Sequence, residues 1–226
     1  MKKNLLIVIG GTDASGKDTQ SRRLCENIAK ENIPFERGSF PRYHKEFGRM
    51  IGGPFLGKPE ICESYFERPS VLDSKAASMI YCAERRFELP WINESLKKGH
   101  LILDRYTESN MGMQGGKLET IEERKNLWNE LDSLEHGFAE LPRPDATIFL
   151  YMPYQVGIEL KSRMDEMKDA VEKDKEYLKN AESSYLQLAE FYNWHKINCT
   201  KDGTIETLKS KDEIEKEVWD FIKPLL

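Results

Sequence analysis

Short apolar runs alternate along this chain with longer stretches in which apolar residues recur at helical spacing. The apolar runs predict strands at residues 5–9, 35–40, 100–103, 146–152 and 195–199. The helical spacing predicts helices at residues 19–31, 71–98, 120–137, 154–164, 171–192 and 211–223, and Pro90 should break or kink the second of them. Strands that alternate with helices favour an α/β fold, in which a parallel sheet is covered by helices on both faces.

The size and composition of the chain are those of one soluble domain. Its 226 residues suffice for a substantial core, and 39% of them are hydrophobic while 32% are charged. The net charge of −5 argues against a general nucleic-acid binder, because such proteins need a large positive surface. That charge is compatible with a small, locally basic site for a phosphorylated metabolite. We therefore expect a single domain over residues 1–226.

Neither the cysteines nor the first residues indicate an exported or membrane protein. The cysteines are far apart and form no CxxC pair, which is typical of free thiols in a reducing cytosol and not of a disulfide framework or a zinc site. The first residues resemble a signal peptide only briefly, because their apolar run ends in glycines and no small-residue cleavage site follows. No segment has the apolar length that spans a bilayer. We expect a cytoplasmic protein without a membrane partner.

The glycine-rich segment at residues 11–17, GTDASGK, lies between the first predicted strand and the first predicted helix. Strand, glycine-rich loop and helix in this order are the context in which a Gly-x4-Gly-Lys sequence binds phosphate. Glycines let consecutive backbone N–H groups curve around an anion, the helix N-terminus adds positive potential, and Lys17 would meet the outer phosphates. The alternative is a glycine-rich turn without a ligand. The residues predicted to contact nucleotide phosphates are Gly11, Ala14, Ser15, Gly16, Lys17, Asp18 and Thr19.

The residue after Lys17 departs from this signature. Ser or Thr is expected there, because its hydroxyl contacts Mg²⁺, but the chain has Asp18. A carboxylate beside a triphosphate repels it unless the carboxylate turns to solvent or binds the metal. Thr19 offers a hydroxyl one residue later. We therefore predict that Thr19 binds the metal, with Asp18 as the alternative.

A second polar cluster, Asp104-Arg105-Tyr106, follows the third predicted strand. In open α/β sheets, ligands bind at the carboxyl ends of the strands, so these side chains should face the glycine-rich loop. Asp104 can hold Mg²⁺ directly or through water, and Arg105 offers a forked set of donors to phosphate oxygens. The alternative is a surface ion pair that caps a loop. Beside a phosphate loop, the pair favours phosphoryl transfer.

Two pairs of residues have the four-residue spacing that places side chains on one helix face. Tyr81 and Arg85 could stack on a base and donate to its carbonyl, although Tyr81 could equally be core and Arg85 a partner of a neighbouring glutamate. Asn110 and Gln114 carry amides, which present both donors and acceptors to a base edge. The second strand ends in an aromatic and basic cluster that suits a ring and a phosphate together: Phe40, Arg42 and Tyr43.

Residues 161–179 carry dense charge of both signs over a thin apolar pattern. Such a segment is typical of a solvated helix with ion pairs one turn apart. It is equally compatible with a lid that closes over phosphates. Arg163 is the only arginine after Arg143, so Arg163 is the candidate lid arginine.

With these motifs in this order, the chain resembles the thymidylate kinases, P-loop enzymes of the nucleoside monophosphate kinase group. The resemblance covers nearly the full length. It is carried by the loop GTDASGKDTQ, by Phe40-Pro41-Arg42-Tyr43, by Asp104-Arg105-Tyr106 with Ser109-Asn110 and Gln114-Gly115, by Pro144-Asp145, and by Asp169-Ala170-Val171-Glu172. It implies a P-loop NTPase fold with a five-stranded parallel sheet, helices on both faces and a short charged lid at about residues 161–179. The implied reaction transfers the γ-phosphate of ATP to dTMP, giving dTDP and ADP.

The resemblance also implies roles for single residues. Asp13 would bond the 3′-hydroxyl of the sugar, Tyr81 would stack on thymine, and Arg85 with Asn110 would read the base edge. The full substrate set is Asp13, Phe40, Arg42, Tyr43, Tyr81, Arg85, Arg105, Asn110, Gln114 and Glu172. The catalytic set is Lys17, Asp104, Arg105 and Arg163, and Mg²⁺ is the implied cofactor, held by Asp104 and Thr19.

Two positions depart from the family pattern. Ala14 stands where some members have a loop arginine, which makes Arg163 the proposed replacement. Met113 stands where many members have a tyrosine that crowds the sugar 2′ position, so a strict preference for the deoxy sugar is not implied. Two alternatives stay open, namely a kinase for another nucleotide such as dUMP or UMP, and a catalytically silent nucleotide-binding homologue. A homodimer is expected from the resemblance alone.

Overall fold

The computed structural model describes residues 3–67, 69–163 and 174–226 and contains one parallel sheet. Its five strands occupy the order β2-β3-β1-β4-β5. Their bounds are β1 Leu6–Gly11, β2 Phe35–Ser39, β3 His100–Asp104, β4 Ala146–Tyr151 and β5 His195–Asn198. Each predicted strand is therefore confirmed to within two residues at either end, and the predicted five-stranded parallel sheet is confirmed.

Helices cover both faces of the sheet, as the alternating pattern predicts. Their bounds are α1 Lys17–Lys30, α2 Glu46–Met50, α3 Ser74–Phe87, α4 Leu89–Lys98, α5 Thr107–Gly115, α6 Ile121–Asp132, α7 Tyr154–Arg163, α8 Lys175–Phe191 and α9 Lys211–Ile222. Two π-helical turns follow helices directly, Ile51–Phe55 after α2 and Ser133–Phe138 after α6.

The predicted break near Pro90 in the helical segment 71–98 is confirmed. The segment forms α3 and α4, and Pro90 stands in the first turn of α4, where a missing N–H costs nothing. Helix α5 is not among the helices predicted from the apolar pattern, although the four-residue spacing of Asn110 and Gln114 assumed a helix there. It buries polar residues such as Glu108 and Asn110 together with apolar ones, so it lacks the apolar stripe by which a helix is identified.

The side chains of β1 show why the sheet is buried on both faces. Ile7 and Ile9 pack on one face against the apolar sides of α1 and α9. Leu6 and Val8 point to the opposite face and join residues of α3 and α4. Full burial of each such side chain contributes about 1.5–3 kcal/mol, so the central strand is a rigid base for the loop that follows it.

The sheet register brings the ends of four strands to one edge. Ile9 and Ser39 both lie opposite Asp104, and Gly11 lies opposite Leu150. The carboxyl ends of β1, β2, β3 and β4 therefore meet, and the loops after them surround the crevice where open α/β sheets bind ligands.

The four cysteines carry free thiols, as predicted. Burial raises the pKa of Cys25 to about 11, so its reactive thiolate is disfavoured. None of the helices in the described ranges combines the length and apolarity needed to cross a bilayer.

Candidate active site

The loop between β1 and α1 has the backbone conformation of a phosphate cradle. Gly11 has φ 156°, and a Cβ atom there would lie 2.3 Å from the carbonyl oxygen of Leu150. Gly16 has φ 79° and immediately precedes α1. Both positions require glycine, because one has no room for a side chain and the other is left-handed. The loop therefore directs backbone N–H groups and the N-terminus of α1 toward one point.

Lys17 lies inside this loop, and only 7% of it is exposed. Its Nζ donates to the Thr12 carbonyl at 2.6 Å and lies 3.4 Å from the Ser15 hydroxyl. Burial, and secondly the positive charge of Arg105, lower the pKa of Lys17 to about 8. Bound phosphate would reverse this effect, because an anion favours the charged ammonium.

Arg105 reaches the loop from the end of β3. Its Nη2 donates to Asp13 Oδ1 at 3.1 Å, and its backbone is held in the left-handed region at φ 65°. Burial alone would raise the pKa of Asp13, but the charges of Arg105, Lys161 and Lys17 outweigh burial and hold that pKa below its usual range. One carboxylate is thus surrounded by three cations, and the cluster has a net positive charge where the loop meets β3.

The structure places Lys161, not Arg163, beside the phosphate loop. Lys161 Nζ lies 3.6 Å from Asp13 Oδ2, whereas Arg163 is exposed and pairs with Glu159 one turn back on α7. This differs from the prediction that Arg163 supplies the missing loop arginine. A single lysine in a charge-dense segment carries no signal that would have identified it. Asp169 and Glu172 lie outside the described residues.

The carboxylate of Asp18 is turned away from the loop. It accepts from Arg22 Nε at 2.9 Å and from Arg37 Nη2 at 2.5 Å, and 57% of its side chain is exposed. Its backbone N–H remains in the first turn of α1 and is still available to phosphate. The pairing resolves the repulsion expected of Asp18 and leaves Thr19 as the hydroxyl nearest the signature position.

Asp104 has a feature that suits a metal ion or its water. Its Oδ1 is buried and has no hydrogen-bond partner among the described residues. Those residues also contain no group of three or more His, Cys, Asp or Glu side chains placed so that it could hold a metal ion. Mg²⁺ is often bound by one or two protein oxygens together with substrate phosphates and waters, so Asp104 and Thr19 fit a phosphate-dependent site.

A pocket of about 280 Å³ extends from Asp13 and Arg105 along α5. Its lining includes Arg105 at the end of β3 and both Asn110 and Gln114 on α5. It brings together most of the predicted substrate residues, namely Asp13, Phe40, Tyr43, Tyr81, Arg85, Arg105, Asn110 and Gln114. Its other lining residues include several that the sequence did not indicate: Phe55, Lys58, Lys117 and Tyr177.

The Arg42 side chain is held by Glu88 and Trp91 and does not line the pocket. Its Nη1 donates to Glu88 at 2.8 Å, and its guanidinium carbon lies 3.9 Å from the Trp91 ring centroid. Its neighbours Pro41 and Tyr43 line the pocket, but Arg42 does not. The predicted contact between Arg42 and an acceptor phosphate stays a prediction, and the N–H groups that Glu88 does not take are the ones that could make it.

The far part of the pocket is closed by a buried ion pair. Arg85 is 2% exposed and Glu135 is fully buried. Arg85 Nε donates to Glu135 Oε2 at 3.0 Å, and Arg85 Nη2 contacts Glu135 Oε1. Burial alone would lower the pKa of Arg85, but Glu135 raises that pKa above its usual range. Asn110 Nδ2 also donates to Glu135 Oε1, at 3.1 Å.

Glu84 supports the segment that contains Arg42 and gives a prediction about stability. Its Oε1 accepts from the Arg42 backbone N–H at 2.6 Å, while its Oε2 is buried without a hydrogen-bond partner in the part of the chain that is described. Burial raises the pKa of Glu84 from its ordinary value of 4.5 to about 7. Between these two values the folded protein holds a proton that the unfolded chain has lost. The free energy of unfolding contributed by this group therefore falls as pH rises from 4.5 to 7.

We expect Glu84→Gln to be about 1–3 kcal/mol more stable than the wild type at pH 8 and about equal to it at pH 4.5. The glutamine oxygen still accepts from Arg42, and no buried charge forms. Urea unfolding at the two pH values measures the difference. Glu94→Gln, at an exposed position of α4, is the matched control and should show no such pH dependence. A Glu84→Gln protein that is less stable than wild type at pH 8 would contradict the argument.

A glycine-rich phosphate cradle lies next to an acid and an arginine at the end of β3, with a pocket beside them. Together these features define a P-loop enzyme of the nucleoside monophosphate kinase class. Comparison with known families is consistent with this class. The family model described as thymidylate kinase matches residues 9–211. The chain therefore belongs to the thymidylate kinase family, and the predicted resemblance is confirmed.

Individual relatives agree with the family model. The chain is 30% identical over 223 residues to a probable thymidylate kinase of Methanocaldococcus jannaschii, and this match covers 99% of the chain and 98% of the relative. It is 31% identical over 202 residues to a probable thymidylate kinase of Metallosphaera sedula, covering 88% of this chain and 85% of the relative. A solved structure of Candida albicans thymidylate kinase matches with a TM-score of 0.68 over 98% of this chain and 92% of that chain, at 22% identity. That likeness concerns the fold.

Proposed function

We propose that this enzyme transfers the γ-phosphate of ATP to dTMP, with ATP on the residue 11–17 loop and dTMP in the pocket along α5. The observation that carries the proposal is the junction of the two sites. Asp13 belongs to the loop and also lines the pocket. It accepts a hydrogen bond from Arg105 and lies close to Lys161. A positively charged junction between two nucleotide sites is what two phosphate chains require in order to meet.

The proposed chemistry is an in-line transfer. A phosphate oxygen of dTMP attacks the γ-phosphorus while the bond to the β,γ-bridging oxygen breaks, so dTDP forms and ADP leaves. The attacking phosphate is already an anion, so no side chain has to act as an obligatory base. Catalysis then consists of positioning and charge neutralisation by Lys17, Arg105 and Lys161. Mg²⁺, held by Asp104 and Thr19 with the phosphates, would neutralise further charge on the donor.

Different residues along the pocket bind the sugar and the base of dTMP in this proposal. Asp13 lies near the sugar 3′ position, and Tyr81, which packs edge-on to Phe55 at 5.6 Å between ring centroids, offers its ring to the base. Arg85 and Asn110 face the base edge. Met113 lines the same pocket, and its flexible side chain excludes a 2′-hydroxyl less strictly than a fixed ring would. The homodimer expected from the resemblance and the cytoplasmic location expected from the sequence are part of this proposal.

An ADP-release assay with ATP and a panel of dTMP, dUMP, UMP and dCMP tests the assignment. We expect the highest kcat/KM for dTMP. A higher value for UMP or dUMP would assign the enzyme to another nucleotide. ATP binding without transfer to any monophosphate would instead identify a silent homologue.

A further inference from the structure

Glu135 is a fully buried carboxylate that has no part in the proposed transfer. It lies in the π-helical turn Ser133–Phe138, where α6 loses its regular spacing. Such turns redirect side chains and are frequent at functional sites. We propose that Glu135 is a positioning residue that sets the base specificity of the acceptor pocket. This inference rests on the proposed function of that pocket.

Glu135 first fixes which donors of Arg85 remain for a ligand. The carboxylate takes one N–H from Nε and one from Nη2. A guanidinium has five N–H groups in a rigid plane, so the three that remain, two on Nη1 and one on Nη2, keep a defined direction. Because Arg85 lines the pocket, these donors are the ones that a base carbonyl can meet.

Glu135 also fixes the orientation of the Asn110 amide. A carboxylate accepts hydrogen bonds only, so the Asn110 NH₂ group must face it, as the 3.1 Å contact shows. The amide oxygen is then on the opposite side. Asn110 Oδ1 is buried and has no hydrogen-bond partner among the described residues, and the same holds for Gln114 Oε1. Both residues line the pocket.

The resulting pattern places N–H donors of Arg85 beside the acceptor oxygen of Asn110. Thymine and uracil complement it, because they offer the O4 acceptor and the N3–H donor. Cytosine presents an acceptor at N3 and a donor at N4, so its N3 would face the amide oxygen and a buried group would stay unpaired. Sites built around hydrogen bonds reject such ligands strongly, because unpaired buried groups are costly. Glu135 thus selects a keto pyrimidine without touching it.

Glu135→Gln separates this role from simple neutralisation of Arg85. A glutamine amide both donates and accepts, so Asn110 can rotate and present its NH₂ group to the pocket. We expect KM for dTMP to rise about tenfold with kcat within about threefold, and the ratio of kcat/KM for dCMP to that for dTMP to rise at least about tenfold. Glu130→Gln, at an exposed position of α6 paired with Lys75, is the matched control and should change neither value.

Wild-type activity on dTMP tests the proposed function. The ratio of kcat/KM for dCMP to that for dTMP tests the role of Glu135, so the proposed function and this inference can fail separately. A folded Glu135→Gln protein with an unchanged ratio, including one with a uniform loss on all substrates, would overturn the inference. If that variant does not fold, Glu135→Asp keeps the charge but withdraws it by one methylene. A rise of about threefold in its ratio is then expected, and no rise would overturn the inference.

Discussion

Lys17→Ala is expected to lower kcat by about a thousandfold, because removal of one charge-stabilising donor from a transfer site costs about a hundredfold to a thousandfold and Lys17 carries a full charge. Its Nζ is already within the cradle, bonded to the Thr12 carbonyl. The loss should appear in the transfer step, because the dTMP pocket does not contain Lys17. The single-turnover rate of transfer should therefore fall, while the Kd for dTMP, measured separately, should stay unchanged.

The matched control is Lys97→Ala, at an exposed position of α4. Its rate should equal that of the wild type. Thermal unfolding should show that Lys17→Ala remains folded, since the cradle geometry depends on Gly11 and Gly16. A folded Lys17→Ala protein with a rate near that of the wild type would remove Lys17 from the mechanism.

Arg105→Ala is expected to lower kcat/KM for dTMP by about a thousandfold or more. Arg105 lines the pocket proposed for dTMP and is hydrogen-bonded to Asp13, so it would contact the acceptor phosphate next to the loop. KM for dTMP should rise while KM for ATP changes little. Arg105→Lys should recover only part of the loss, because an ammonium is a point charge without the planar fork.

Arg143→Ala is the control for Arg105, since Arg143 is an exposed arginine that pairs with Asp132 and does not line the pocket. Initial rates over a grid of ATP and dTMP concentrations separate the two KM values. An Arg105→Ala enzyme whose KM rises equally for both nucleotides would show that Arg105 is not specific to the acceptor side.

The strands and the loop were predictable because each depends on local sequence. A buried parallel strand needs a short apolar run, and the cradle needs glycine at Gly11 and Gly16, so both leave a pattern in the chain. Helix α5 was missed because its face toward the pocket is polar. Asn110 and Gln114 were nevertheless identified, since the resemblance and their spacing marked them before the helix was known.

Residues that act through long-range contacts left no such pattern. Glu135 meets Arg85 from 50 positions away and Asn110 from 25 positions away. Lys161 meets Asp13 only because α7 packs over the loop, where Gly157 allows close approach: a Cβ there would lie 3.0 Å from the Asp13 carbonyl oxygen. Charge and spacing alone gave Arg163 more weight than Lys161. Only the packing of α7 reveals which of the two lies at the site.

The most direct test of the central claim is inhibition by a bisubstrate analogue in which adenosine and thymidine are joined through a pentaphosphate. If both nucleotide sites open into one crevice at Asp13, the analogue should compete with ATP and with dTMP alike. Both Lys17→Ala and Arg105→Ala should weaken its binding. Competition with ATP alone, with dTMP still free to bind, would show that the two sites do not meet and would contradict the account.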